Sequence, residues 1–327
     1  MSMKSRDLKG SQLSIGKILA QTEVSLVLII AVLFIAAAIG TNNFVTSYNL
    51  MNILKQSAVI GVIAVAETFV IITGGIDISC GAVVGMCTLV VALSQARWGV
   101  PIWLSIVLAL VVGVVCGIVN AFIIHEFTVP PMIATLGTQT ILRGLIKVFS
   151  NGGTVSGIYK SYARFANTSF LFLPNLAIVW IIVAVICALI LKYCIFGRNL
   201  FVLGSGKEVA KLSGISIRKT QYMAYAFAGL LFAVAGCMLA ARMNCSTPTA
   251  GEGYEMNAIA ASVLGGASLS GGFGSIPGTL LGTLLIILID NVGIQFGIDP
   301  FIMEVVTGVV IVIAVVVDQL KKRTAAR

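Results

Sequence analysis

GGIDISCG, residues 74–81, interrupts an otherwise apolar part of the chain. Residues 53–72 precede it and residues 82–93 follow, with no polar loop between them. In hydrocarbon, irregular backbone persists only where it is buried in protein or faces a watery cavity. A charge such as Asp77 at the centre of a spanning helix costs about 2.5–3.5 kcal/mol on insertion scales. A helix broken here, at membrane depth, marks a pathway for something that crosses.

Working outward, the whole chain fits a membrane. Of 327 residues 58% are hydrophobic and 10% charged, against roughly 25% charged in a soluble domain. Spans of about 20 apolar residues are expected at residues 24–39, 53–73, 82–93, 102–124, 132–149, 176–193, 222–241, 258–269, 276–295 and 301–317. The fold expected is therefore all-α: a polytopic integral membrane protein of about ten helices, forming one transmembrane domain over residues 1–327. The third and eighth spans are short, a feature that points to a site or pathway in transporters.

Basic residues orient the chain. With the N-terminus inside, Lys4, Arg6, Lys9, Lys17, Lys192, Arg198, Lys207, Lys211, Arg218, Lys219, Lys321, Lys322, Arg323 and Arg327 fall on the cytoplasmic side, 14 of 21. Residues 1–23, the loop 196–221 and the tail 318–327 are then cytoplasmic. The net charge of +9 serves orientation. No nucleic-acid motif accompanies it, so no nucleic-acid partner is expected. The seven cysteines are scattered without a C-x-x-C pair and read as small packing residues. The lone His125, beside Glu126, lacks the partners of a metal site or triad and reads as interfacial. The N-terminal stretch is too polar for a signal peptide, so the first apolar run is read as a retained span.

Two loops stand out. Residues 150–175 form the longest outward segment, either a plain connection or a dock for an external partner. Residues 196–221 form the longest inward one. There residues 203–206 are expected to break the chain, residues 207–212 to form one or two helical turns, and Gly214 to end them. This short helix is either a docking element or an interfacial amphipathic turn.

GGIDISCG also has an echo in GGASLSGG, residues 265–272. Gly74, Gly75, Ser79 and Gly81 align with Gly265, Gly266, Ser270 and Gly272, and Ile78 with Leu269. Two broken helices facing a common pathway are expected from it. Two roles are open to Asp77: a cap for the third span or a contact for the permeating solute. Glu67, midway down the second span, calls for a polar partner or a wet cavity. Thr135, Thr138, Gln139 and Arg143 share one helix face, with Asn120 on the preceding span. They either line a channel for a hydroxyl-rich solute or bond helix to helix. Farther on, Asn257 is read as a cap for the eighth span, and Gly274, Gly278 and Gly282 as a stripe for close helix approach. Glu252 and Glu255 fall at the outer end of that span, while Asp290 and Glu304 receive no role. No Walker A pattern, serine elbow or paired soluble carboxylates occur, so the chain itself neither binds ATP by that route nor reads as an enzyme.

Together GGIDISCG, the segment ending KEVAKLSGI and AGEGYEMNAIAASVLGGASLSGGFGSIPGT resemble the permease subunit of ribose-type ABC sugar importers, over residues 49–318. Two departures are mild: Cys80 where a larger aliphatic is usual, and Asn257 where aspartate is common. The resemblance implies a bacterial inner-membrane importer for a monosaccharide, with a second permease chain, a partner ATPase holding ATP and Mg, and an extracytoplasmic sugar-binding protein. It places Lys207, Glu208, Ala210, Leu212, Gly214 and Ile215 at the ATPase contact. It sets residues 74–81 and 265–272 beside the pathway or its inner gate, so that with the polar residues read above the expected pathway or gate set is Glu67, Gly74, Gly75, Asp77, Ser79, Asn120, Thr138, Gln139, Gly265, Gly266 and Ser270. Rival cargoes are a furanosyl signal molecule, a nucleoside or a branched-chain amino acid. A rival class is an ion-coupled secondary transporter, for which Glu67 and Asp77 are the supporting residues.

Overall fold

A computed structural model describes residues 22–325. Lys4, Arg6, Lys9, Lys17 and Arg327 lie outside the described residues. The helices are α1 Thr22–Gly40, α2 Ser47–Ile72, α3 Cys80–Ala96, α4 Ile102–Glu126, α5 Pro131–Ser150, α6 Lys160–Asn167, α7 Asn175–Tyr193, α8 Ile195–Ser205, α9 Lys207–Leu212, α10 Ile217–Met243, α11 Tyr254–Leu264, α12 Ile276–Gln295 and α13 Pro300–Ala325. Each of the ten expected spans maps to one of them. Among the described residues six are long and apolar enough to cross a membrane: α1, α2, α4, α7, α10 and α12; α3 and residues 301–313 of α13 are shorter apolar helices. The all-α, membrane-spanning architecture read from composition therefore holds.

The layering follows from which helices are apolar all round. On α2 every residue from 57 to 72 is buried, and α3 is buried over nearly its whole length. These two form the centre. By contrast α4 exposes Trp103, Val107, Val111, Val115, Ile118 and Phe122, a repeat of three to four residues that turns one face to lipid. Its other face carries small residues, which let backbones touch. A Cβ on Gly113 would strike the Gly229 carbonyl of α10, and one on Gly117 the Tyr225 carbonyl. Where these two helices reach the end assigned to the cytoplasm, Arg218 pairs with Glu126 at 2.9 Å, Tyr222 donates to Glu126 and His125 meets Gln221.

Several local expectations are corrected. The outward segment 150–175 is no plain loop: it holds β1 Val155–Ser156, α6 and the hairpin of β2 Ser169–Phe170 with β3 Leu173–Pro174. β1 pairs with β4, Cys245–Ser246, across that end of the molecule. The break expected over residues 203–206 lies at Gly206 alone, because α8 continues through Ser205. The eighth span stops at Leu264 rather than at 269, and it starts at Tyr254 after Gly253, so Asn257 lies inside the helix and does not cap it. The stripe of glycines behaves as expected. Cβ atoms on Gly278 and Gly282 would strike the carbonyls of Gly265 and Ala261, and one on Gly274 the side chain of Ile72.

Candidate functional site

The two glycine-rich breaks share one backbone solution. At the end of α2, Gly74 N–H reaches the Ile71 carbonyl and Gly75 N–H the Val70 carbonyl; at the end of α11, Gly266 N–H reaches Val263 and Ala267 N–H reaches Ser262. This is the Schellman ending, which needs a left-handed residue at its second-last position. Gly74 (φ +81°) and Gly266 (φ +93°) supply it. The structural equivalents are thus Gly74 and Gly266. The letter-by-letter alignment is one residue out of step, because positive φ fixes the register and similarity of letters does not.

Beyond Gly75 the first break turns back alongside α2. Asp77 N–H donates to Glu67 Oε1 at 2.9 Å, so α3 starts level with Glu67. That is five residues, about 7.5 Å, short of the end of α2. At the start of α3 the residue before the helix, Ser79, makes no side-chain cap bond of its own, and the capping role falls to Asp77. Its carboxylate accepts from the Ser79 amide at 2.9 Å, from the Ser79 hydroxyl and from the Asn120 amide at 3.2 Å. Asn120 also donates to Ser79 Oγ at 2.9 Å and accepts from Thr138 at 2.7 Å. Thr135 accepts from the Ile78 amide at 3.1 Å. Glu67, Asp77, Ser79, Asn120, Thr135 and Thr138 are all buried.

The polar stripe on α5 therefore works as a helix-to-helix zipper. Its upper half continues it: Gln139 donates to Glu255 of α11 at 3.0 Å, and Arg143 donates to the Ala250 carbonyl at 2.7 Å. Four polar atoms at this centre, Glu67 Oε2, Glu255 Oε2, Arg143 Nη2 and the Tyr225 hydroxyl, are buried with no hydrogen-bond partner among the described residues. The Tyr225 hydroxyl lies where a Cβ on Gly75 would sit, 2.6 Å away. In this arrangement the network closes the space between α2, α3, α4 and α5.

The two breaks then meet each other. Gly272 N–H donates to the Ile72 carbonyl at 2.9 Å, and a Cβ on Gly74 would lie 3.6 Å from the Ser270 carbonyl. Gly204 of α8 is seated on this junction. A Cβ there would strike both the Ile72 carbonyl oxygen and the Gly272 nitrogen. Beneath it, Thr68, Ser262 and Thr279 join α2, α11 and α12 through bonds of 3.2 and 2.8 Å. Of the expected pathway residues, Glu67, Asp77, Ser79, Asn120 and Thr138 share one network. Gly74 and Ser270 meet at the junction, Gly265 packs on Gly278, and Gln139 reaches Glu255. A cavity of about 800 Å³ adjoins this network at Glu255, between α2, α11, α12 and α13. It gathers Glu252, Glu255, Asp290 and Glu304, residues scattered through the sequence.

At the expected ATPase contact, α9 also ends in a Schellman motif. Gly214 (φ +70°) is its left-handed residue, and Ile215 N–H returns to the Ala210 carbonyl at 2.9 Å. Ala210 is buried while Leu212 is 90% exposed, so the short helix is clamped from below and presents an apolar knob. Sequence reasoning missed Gly204, Thr68, Ser262 and Thr279. A lone small residue in an apolar run gives no spacing signal when its partners lie about 200 residues away.

Comparison with known proteins follows this geometry. Residues 49–315 match the family model described as branched-chain amino acid transport system / permease component. The chain belongs to this permease family. It is 40% identical to the ribose import permease protein RbsC of Bacillus subtilis over 292 residues, covering 89% of this chain and 90% of that one. Identity is 37% to RbsC of Escherichia coli K12, covering 90% and 93%. It is 33% to the L-arabinose transport system permease protein AraH of the same strain, covering 96% and 94%. No solved structure matches. The chain is an integral membrane permease whose homologues are transport subunits.

Proposed function

We propose that this permease is the membrane subunit of an ATP-binding-cassette importer that carries a monosaccharide inward across a bacterial cytoplasmic membrane. It is itself non-catalytic. A partner ATPase binds ATP and Mg on the cytoplasmic face, a sugar-binding protein delivers cargo from outside, and a second permease chain completes the pathway. The observation that carries the cargo class is the likeness, over about nine-tenths of the chain, to permeases whose names specify ribose and L-arabinose. The exposed Leu212 on its clamped helix supports the ATPase contact through Lys207, Glu208, Ala210, Leu212, Gly214 and Ile215. The Gly204 junction supports a rigid link from that helix to both breaks.

An uncharged sugar needs hydrogen-bonding groups along its route and no fixed counter-charge. The sealed state of the Glu67–Asp77 network suits a closed gate, which must part when the pathway opens. The test is uptake by vesicles containing the permease, its cognate ATPase and its cognate binding protein. ATP-dependent accumulation of labelled ribose or arabinose is expected. Accumulation of leucine in place of either sugar would overturn the cargo, and uptake without the ATPase would overturn the class.

A further inference from the structure

The outward segment carries an exposed apolar tip. Leu171 and Phe172 form the tip of the β2–β3 hairpin and are 74% and 88% exposed, beside the exposed Phe170. Both carry positive φ, +46° and +69°. They are the two central residues of a two-residue hairpin, whose tight turn uses positive φ at both positions; Gly or Asn is usual there, and bulky residues cost about 1–2 kcal/mol each. Strain of this kind persists where the surroundings make use of the conformation.

Three observations fix the depth of this tip. Tyr162 of α6 donates to the Cys237 carbonyl at 2.9 Å. That residue is about 9 Å along the axis from the end of α10, so the Tyr162 side chain inserts below the helix ends and pins α6 against them. Next, α7 has 19 residues, about 28 Å of helix, which matches a hydrocarbon core of about 30 Å and sets Asn175 at its boundary. Finally, Asn175 ties the hairpin to α6: its amide donates to the Thr168 carbonyl at 3.1 Å and its side chain to the Phe165 carbonyl at 2.9 Å. The hairpin therefore lies at headgroup level, where amphipathic and aromatic groups collect.

Beside α6 there is an apolar crevice of about 180 Å³, lined by Leu110, Phe165, Leu176, Val179, Val234 and Met238 among others. Water gains nothing in such a space. On the open side of α6, Lys160 and Arg164 stand one turn apart and exposed, placed for an anionic headgroup.

We propose that α6, the hairpin tip and this crevice form a phospholipid-binding surface, in which Leu171 and Phe172 enter the interface of the outer leaflet and one acyl chain fills the crevice. The outer leaflet follows from the orientation given by the basic residues; the cargo plays no part.

The test places an environment-sensitive fluorescent amino acid at position 172 of the full chain, in vesicles of phosphatidylethanolamine and phosphatidylglycerol. Blue-shifted emission is expected, quenched by nitroxide lipids more strongly than by aqueous iodide. Stronger quenching by iodide, or a blue shift that appears only on adding the soluble binding protein, would overturn the proposal. For the crevice, Val179→Phe should lower the number of phospholipids retained in native mass spectrometry, with Val234→Phe as a second variant. An unchanged lipid count in either folded variant counts against an acyl-chain site.

Discussion

Replacing Gly204 with alanine adds one methyl group at the point where three segments touch. Its carbon would collide with the Ile72 carbonyl oxygen and the Gly272 nitrogen, which are bonded to each other at 2.9 Å. Neither is the end of a flexible side chain, so backbone must move. Overpacking of a tight core typically costs about 1–3 kcal/mol, and loss of the bond between the breaks adds about 0.5–1.5 kcal/mol. The sum, about 1.5–4.5 kcal/mol, would depopulate this arrangement by about tenfold or more, since 1.4 kcal/mol is a factor of ten. Thermal unfolding in nanodiscs should show the lost stability, and reconstituted vesicles should show ATP-dependent uptake reduced about tenfold or more at normal membrane insertion. Gly144→Ala is the control, because a Cβ there meets nothing within 4 Å. Wild-type stability and uptake in Gly204→Ala would refute the junction as a tight three-way contact and as a link to the breaks.

Glu67→Gln should be tolerated, because its amide oxygen can still accept the Asp77 N–H. Glu67→Leu should lose about 1–3 kcal/mol through an unsatisfied buried amide, read as a lower melting temperature. Asp77→Asn sets an amide group against the Asn120 amide donor and should destabilise, while Asp77→Leu destabilises more. Adding Asn120→Asp to Asp77→Asn should recover part of the melting temperature, and no recovery would remove the direct pair. A Cβ on Gly214 meets nothing within 4 Å, so the expected cost of Gly214→Val is conformational, about 1–2 kcal/mol at the end of α9. Coupled ATP hydrolysis should fall with insertion intact, whereas Gly214→Asn should be milder, since Asn tolerates the left-handed region.

How much was legible in the sequence depended on whether the cause was local. Gly214 ending α9 was readable, because a Schellman ending is decided within six residues. The existence of both breaks was readable for the same reason. Their register was not: Gly74 and Gly266 are equivalent through dihedral angles that letter matching does not see. The local half of the role of Asp77 was readable, since its carboxylate holds the Ser79 amide two residues on; its Asn120 partner, 43 residues on, was not. The α5 stripe was visible as a face, but whether that face met solute or protein depended on α4 and α11 arriving opposite it. The helix α6 was hidden because eight residues, partly polar, carry too little periodicity to separate them from a loop.

The Asp77 network has a consequence for how the chain is made. Asp77 and Glu67 are synthesised well before Asn120 and Thr138, the groups that complete their hydrogen bonds from α4 and α5. Until α4 and α5 emerge, the nascent α2–α3 pair carries two carboxylates with only the local partners Ser79 and the Asp77 amide. Releasing that pair alone into lipid would expose both carboxylates, so the insertion machinery has reason to hold the early spans until the fifth helix is made. The network of the first break is thus complete only once residue 138 has been made.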